Sequence, residues 1–347
     1  MPLAEEGARI LRICNSCRYC EGYCAVFPAI ERRETFAPGD LNYLANLCHN
    51  CSECLYACQY APPHEFAVNV PKLLSEIRTE SYRQYALPAW RAGLAGTVVL
   101  TVIAAAAWLA AARSGATFYD VFSHRTMVGL FGLAALLVVG LFAIGLARFW
   151  KDAGEDRRSL FDFPALLQAA KDSLSLRYLD GGGGGCTWPS ETQSQSRRWL
   201  HHLTFYGFGL CFASTITAAF YHYVRRWPAP YPFVSLPVLL GTTGGALLVI
   251  GCAGLLWLKS LRNPETQSTK QTGMDLGLLL ALLLAGISGL VLLAFRASHW
   301  MPQLLAVHLG IVLALFLTMP YGKFVHAIYR SAALYKYALE GRRGIHR

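Results

Sequence analysis

From residue 92 onward, long apolar runs alternate with short polar ones. Six runs, about 92–112, 126–149, 201–223, 234–258, 274–296 and 302–322, each supply the roughly 20 residues that a bilayer core demands. A backbone in lipid must satisfy its own hydrogen bonds, so the pattern predicts six membrane helices. The first ninety residues hold no such run. Their clearest periodicity is in PGDLNYLANL (38–47), where Leu41, Leu44 and Leu47 share one side of a helix capped by Asp40. Between the second and third runs, FPALLQAAKDSLSLRYL (163–179) carries Phe163, Leu166, Leu167, Ala170 and Leu174 as a helical stripe, suited to a short helix on the membrane surface or on the amino-terminal domain. No alternating β pattern is present. The expected fold is all-α: a domain over 1–88, membrane helices 1–2 over 89–150, a loop over 151–200, membrane helices 3–6 over 201–330 and a basic tail over 331–347.

Charge gives the expected orientation. The chain is 54% hydrophobic and 15% charged, with a formal net charge of +10, which suits a membrane protein with basic loops better than a nucleic-acid binder. Nine lysines and arginines precede residue 92, eight lie between Arg148 and Arg198, three between Lys259 and Lys270, and six from Lys323 to the end. The opposite set of loops holds five: Arg113, Arg125, Arg225, Arg226 and Arg296. The bias predicts both termini in the cytoplasm.

Eight of the eleven cysteines fall between Cys14 and Cys58, in two runs of the same spacing, CNSCRYCEGYC (14–24) and CHNCSECLYAC (48–58). In a reducing compartment such thiols read as metal ligands and not as disulfides. Structural zinc prefers CxxC pairs separated by a longer stretch. CxxCxxCxxxC instead suits [4Fe–4S] clusters, and in two-cluster ferredoxins the fourth cysteine of each run serves the other cluster. Applied here, Cys14, Cys17, Cys20 and Cys58 form one ligand set, and Cys48, Cys51, Cys54 and Cys24 the second. Proline does not directly follow Cys24 or Cys58; Pro28 and Pro62 come four residues later. With a helix between the runs, the domain resembles the all-helical ferredoxin of succinate dehydrogenase iron–sulfur subunits and heterodisulfide reductases. His49 and His64 are read as surface or supporting histidines. GGGGGC (181–186) lacks the GKS or GKT of a phosphate loop, so it reads as a flexible link or a close backbone approach, with Cys186 a structural thiol.

Ionisable residues in membrane helices are functional candidates. Eighteen residues of one continuous helix would place His308 and His326 on one face, about 27 Å apart. On the third membrane helix His201 and His222 lie about 60° apart and His202 and His222 about 160°, so His201 is the better same-face partner of His222. The third and sixth helices run antiparallel, which levels His222 with His308 near one face of the membrane and His201 or His202 with His326 near the other. Facing histidines at a level are what a six-coordinate b-type haem requires. One or two haems fit the set, with His124 and His299 as substitutes for His222. The pattern is similar to the haem-bearing γ subunit of respiratory nitrate reductase.

No GxGxxG follows a strand, so no nicotinamide or flavin fold is expected. The combination ICNSCRYCEGYC, LCHNCSECLYACQYAPPHEFAVNVP, GGGGGC, HHLTFYGFGLCFAST and HLGIVLALFLTMPYGKFVH resembles the tricarballylate utilization protein B (CitB) family over nearly the whole chain. The resemblance implies a multi-pass protein of the bacterial inner membrane, with two [4Fe–4S] clusters and haem b. It would reoxidise the FAD of a partner dehydrogenase acting on tricarballylate and pass electrons to membrane quinone; Lys323 and its PYGK turn are a candidate quinone contact. The alternatives are a redox component of an oxygen-dependent monooxygenase system, such as that of cobalamin ring contraction, and a membrane-anchored iron–sulfur sensor without haem.

Overall fold

The computed structural model describes residues 2–115, 117–187 and 191–344. Five helices precede the membrane region: α1 (Leu3–Cys17), α2 (Val26–Glu31), α3 (Pro38–Leu47), α4 (Glu53–Tyr56) and α5 (Val70–Tyr85). Helix α3 starts two residues before the expected cap: Pro38 takes its first position, and Asp40, from the third, accepts a hydrogen bond from the Ala37 N–H at 3.3 Å. Asn69 caps α5 by accepting from the Lys72 N–H at 3.1 Å.

Among the described residues, six helices are long and apolar enough to cross a membrane. The first two are α6 (Leu94–Ala111), followed by the short α7 (Phe118–Val121), and α8 (His124–Asp152). After α9 (Phe163–Leu174) and a two-residue ribbon of β1 (Cys186–Thr187) with β2 (Gln193–Ser194) come α10 (Ser196–Tyr223), α11 (Leu236–Ser260), α12 (Thr269–Ala294) and α13 (Met301–Thr318). Their outward sides are apolar, with Leu133, Leu136, Val139, Phe212, Ile216 and Ile250 all exposed, the surface that lipid would cover.

The sixth membrane helix ends earlier than expected. Pro320 cannot continue the ladder, and the Thr318 carbonyl is taken by the N–H groups of Tyr321 at 3.1 Å and Gly322 at 2.7 Å. A separate helix, α14 (Val325–Arg343), then begins. His308 and His326 therefore sit on two helices, and the rotation that one continuous helix would fix between them does not apply.

Nor is the carboxy-terminal segment a free basic tail. Through residue 343 it is helical, and Ala333, Leu334 and Leu339 complete the same core as Leu11, Ile30, Tyr43, Leu44 and Leu74, together with Phe149 and Trp150 at the end of α8. Residues 345–347 lie outside the described residues. Buried ion pairs reinforce the seam: Arg33 meets Glu340 at 2.5 Å and Asp40 at 2.7 Å. The cysteine-bearing segment thus shares its core with the membrane helices' ends. Helix α9 covers α14 with Ala165 and Ala169 and leaves Phe163, Leu166 and Leu167 exposed, so its apolar stripe points away from the protein.

Helices α10 and α11 pack backbone to backbone through small residues. A Cβ on Gly251 would lie 2.6 Å from the Thr204 nitrogen, and one on Gly244 2.8 Å from the Cys211 nitrogen. Gly132 in α8, by contrast, faces open space. Gly251→Ala should destabilise the purified protein by about 1–3 kcal/mol through overpacking, whereas Gly132→Ala should be neutral or stabilising by up to about 1 kcal/mol. Thermal unfolding in detergent measures the difference.

Candidate functional site

Helix α1 carries Cys14 and Cys17 and α4 carries Cys54, and backbone turns aim the other thiols. Arg18 ends α1 in the left-handed region (φ +58°), so the chain turns between Cys17 and Cys20. Asn50 and Ser52 take the same region (φ +54° and +70°), which curls CHNCSEC around its own sulfurs. The stretch 59–71 forms a wall against both runs.

Two cavities result. The first, about 280 Å³, is lined by Cys14, Cys17, Cys20 and Cys58, with Tyr60 and Val68 from the wall. The second is lined by Cys24, Cys48, Cys51 and Cys54, with Val70 and Pro71. Cys54 also touches the first. The second encloses only about 20 Å³, room for one water, so its sulfurs would have to spread to take anything larger.

Mutual electrostatics follow the same division for Cys14 and Cys24, while Cys20 and Cys54 also feel thiols of the other set. Burial, then Cys20, Cys58 and Cys17, push the Cys14 thiol up to about 12. Burial, then Cys51 and Cys48, hold Cys24 well above the ordinary thiol range. Thiols raised in this way become thiolates when a cation takes the proton's place. Among the described residues, no three His, Cys, Asp or Glu side chains converge as a single ion needs. Four sulfurs ringing a cavity suit a cubane, which keeps its ligands apart at its corners.

Three arginines from three helices grip the turn that walls the second cavity. Arg78 of α5 donates to the Cys48 carbonyl at 2.7 Å, and Arg330 of α14 donates to the same oxygen. Arg197 of α10 donates to the Asn50 carbonyl at 2.8 Å and the His49 carbonyl at 3.0 Å. His49 is buried among them. Burial, then Arg330, Arg197, Arg78 and His201, hold its imidazole well below the usual range and so neutral. His64 lies elsewhere, in an aromatic group with Tyr60 and Phe66.

The glycine-rich segment closes over this cavity. A Cβ on Gly182 (φ +81°) would press on the Gly22 carbonyl at 3.2 Å, so the run is a close backbone approach. It delivers Cys186, fully buried, into the packed cluster that holds Cys51, while Thr187 donates to the Cys51 carbonyl at 3.2 Å.

Of the histidines, His201 and His326 come together, with ring centroids 6.1 Å apart and planes at 78°. Two axial imidazoles sharing one iron would stand about 6 Å apart, two metal–nitrogen bonds of about 2 Å plus half of each ring. His326 Nδ1 lies 2.6 Å from the Lys323 carbonyl, an acceptor that fixes the proton on Nδ1 and frees Nε2. His202 stacks instead on Tyr206. At the other level, His222 stacks face to face on His124 at 3.9 Å, and among the described ring contacts it has none with His308. His308 places Nδ1 2.9 Å from the Ser288 hydroxyl, under the space left by Gly289. His299 packs on Trp300.

Lys323 is turned inward. It is half-buried and pairs with Asp275 at 3.0 Å, which Lys259 also reaches at 2.5 Å and Gln267 at 2.6 Å. The three arginines, Asp275 and the Cys51–Cys186 contact had no place in the sequence reading. Arg197/His201 and His326/Arg330 share one spacing of four residues, which is the signal that could have found the arginines.

The sequence profile of Citrate utilization protein B (CitB) matches residues 85–346, and that of its Fer4-like domain (CitB_N) matches residues 7–85. The Citrate utilization protein B of Escherichia coli is 48% identical over 356 residues, covering 98% of this chain and 93% of the relative. No solved structure matches.

Asp275→Asn would leave two buried ammonium groups uncompensated and should cost about 3–5 kcal/mol. Thermal unfolding in detergent checks this, against Glu265→Gln, which breaks an exposed pair with Lys72 and should leave the transition within scatter.

Proposed function

This chain belongs to the citrate utilization protein B family, and on that premise we propose that it is an inner-membrane electron-transfer protein with both termini in the cytoplasm. It reoxidises the reduced FAD of a partner dehydrogenase of the tricarballylate dehydrogenase type and delivers the electrons to the quinone pool. Its resident carriers, two [4Fe–4S] clusters and haem b, supply the one-electron chemistry that divides a two-electron flavin oxidation.

The observation that carries this reading is the sorting of eight thiols around two cavities, one of them bonded to the helices that bear His201 and His326. In the proposal, Cys14, Cys17, Cys20 and Cys58 hold one cluster, and Cys24, Cys48, Cys51 and Cys54 the other. The first cavity is lined entirely by residues between 13 and 70 and lies beside Tyr19, which is 68% exposed. That face is where the partner would dock. The second cavity lies behind the turn that Arg78, Arg197 and Arg330 hold, so its thiols are the ones adjoining the histidine pair. His201 and His326 are the proposed axial ligands. Supported by the facing rings, this assignment favours His201 over His202. The pair expected at the other level, His222 with His308, has no comparable support, because His222 is spent on His124.

Variants test the assignments. Cys14→Ser and Cys58→Ser should remove one electron paramagnetic resonance signal of the reduced protein, and Cys24→Ser and Cys51→Ser the other. His201→Ala and His326→Ala should each abolish a low-spin haem spectrum that His202→Ala retains. Purified wild-type protein without haem, or a Cys24→Ser variant that behaves like Cys14→Ser, would sink the reading.

A further inference from the structure

The polar layer between the second cysteine cavity and the membrane helices is rich in buried and half-buried positive charge. Arg78 is 2% exposed, and only its Nη1 is used, on the Cys48 carbonyl; Nε and Nη2 are buried without a partner. Arg330 bonds the Asn46 and Cys48 carbonyls. Among the described residues, neither arginine has a carboxylate in ion-pairing range. The nearby Asp275 is shared between Lys259 and Lys323. A buried guanidinium without counter-charge, such as that of Arg78 with the half-buried Arg330 beside it, is costly, and a molecule that keeps it has an anion for it in its working state.

Position on the helices says where that anion sits. Arg197 lies four residues before His201 on α10, and Arg330 four residues after His326 on α14. Four residues is about one turn, so each arginine shares a face with its histidine, displaced by about 6 Å along the axis. In both cases the displacement is toward the turn of Cys48–Asn50, which both arginines bond. Arg78 reaches the same turn from α5. The pair of rings, 6.1 Å apart, is thus rimmed on one side by three guanidinium groups.

We infer that Arg78, Arg197 and Arg330 are the seat of the two propionate carboxylates of a haem held between His201 and His326. The inference rests on the haem reading above. Both propionates leave a haem from one edge, and the guanidinium fork matches a carboxylate better than any other side chain does. The unpartnered Nε and Nη2 of Arg78 supply a free two-donor edge. Because the same arginines bond the carbonyls of the Cys48–Asn50 turn, this seat also turns the propionate edge toward the second set of thiols.

The test uses full-length protein in detergent, depleted of haem and titrated with haem b or with its dimethyl ester, whose propionates carry no charge. The wild type should form the low-spin spectrum with haem b and bind the ester at least tenfold more weakly. In Arg78→Gln that preference should shrink, with Arg78→Lys between the two. The midpoint potential of the bound haem should also fall in Arg78→Gln, because a nearby cation favours the reduced iron. Equal binding of both forms by the wild type would overturn the propionate seat and leave the haem reading intact. Binding of neither would overturn both. Loss of cluster iron and sulfide from Arg78→Gln, with the preference for the acid form unchanged, would assign the arginine to the cysteine site and overturn the inference.

Discussion

The carbonyl oxygens of Cys48, His49 and Asn50 are the point on which the arrangement turns. Left-handed backbone at Asn50 and Ser52 frees them from any regular ladder, and Arg78, Arg197 and Arg330 take them from three separate helices. A buried carbonyl without a donor is expensive, and so is a buried guanidinium without acceptors. Each offsets the cost of the other, and the exchange occurs where the cysteine segment meets the membrane helices. A rigid joint there matters for an electron carrier, since the separation of redox sites is set by whatever fixes their supports.

That joint explains why the cysteine segment is not a free-standing module. Its core is finished by Leu334 and Leu339 of α14 and by Phe149 of α8, and its rim is held by the Arg33–Glu340 pair. The glycine-rich segment adds a cover that only residues without Cβ allow, bringing Cys186 against Cys51. A ninth thiol thus packs with a proposed ligand of the second set, outside the cavity lining itself.

Much of this was legible along the chain. The six membrane helices follow from run length, because lipid leaves a backbone no partner but itself. The shared spacing of the two cysteine runs pointed to two thiol sets, and Cys24 does lie with Cys48, Cys51 and Cys54 around one cavity. The pairing of His222 with His308 was not recoverable. It took only the antiparallel course of α10 and α13, whereas α10 packs mainly on α11 through Gly207, Gly244 and Gly251; the shared face of His308 and His326 assumed one continuous helix, which Pro320 breaks. The buried arginines were also out of reach, because a count of positive charge assigns lysines and arginines to loops without saying which of them turn inward.

The sequence by itself determined what depends on local period and composition: an all-helical chain, its membrane spans, and a thiol-rich amino-terminal segment. These are set by residues within a few turns of each other, and no distant contact is needed to read them. Tertiary structure alone decided which histidine meets which, that Arg78, Arg197 and Arg330 converge on one turn, and that the carboxy-terminal helix completes the amino-terminal core. Those contacts join residues 30 to 307 positions apart, and the crossing of packed helices that produces them leaves no periodic trace in the chain.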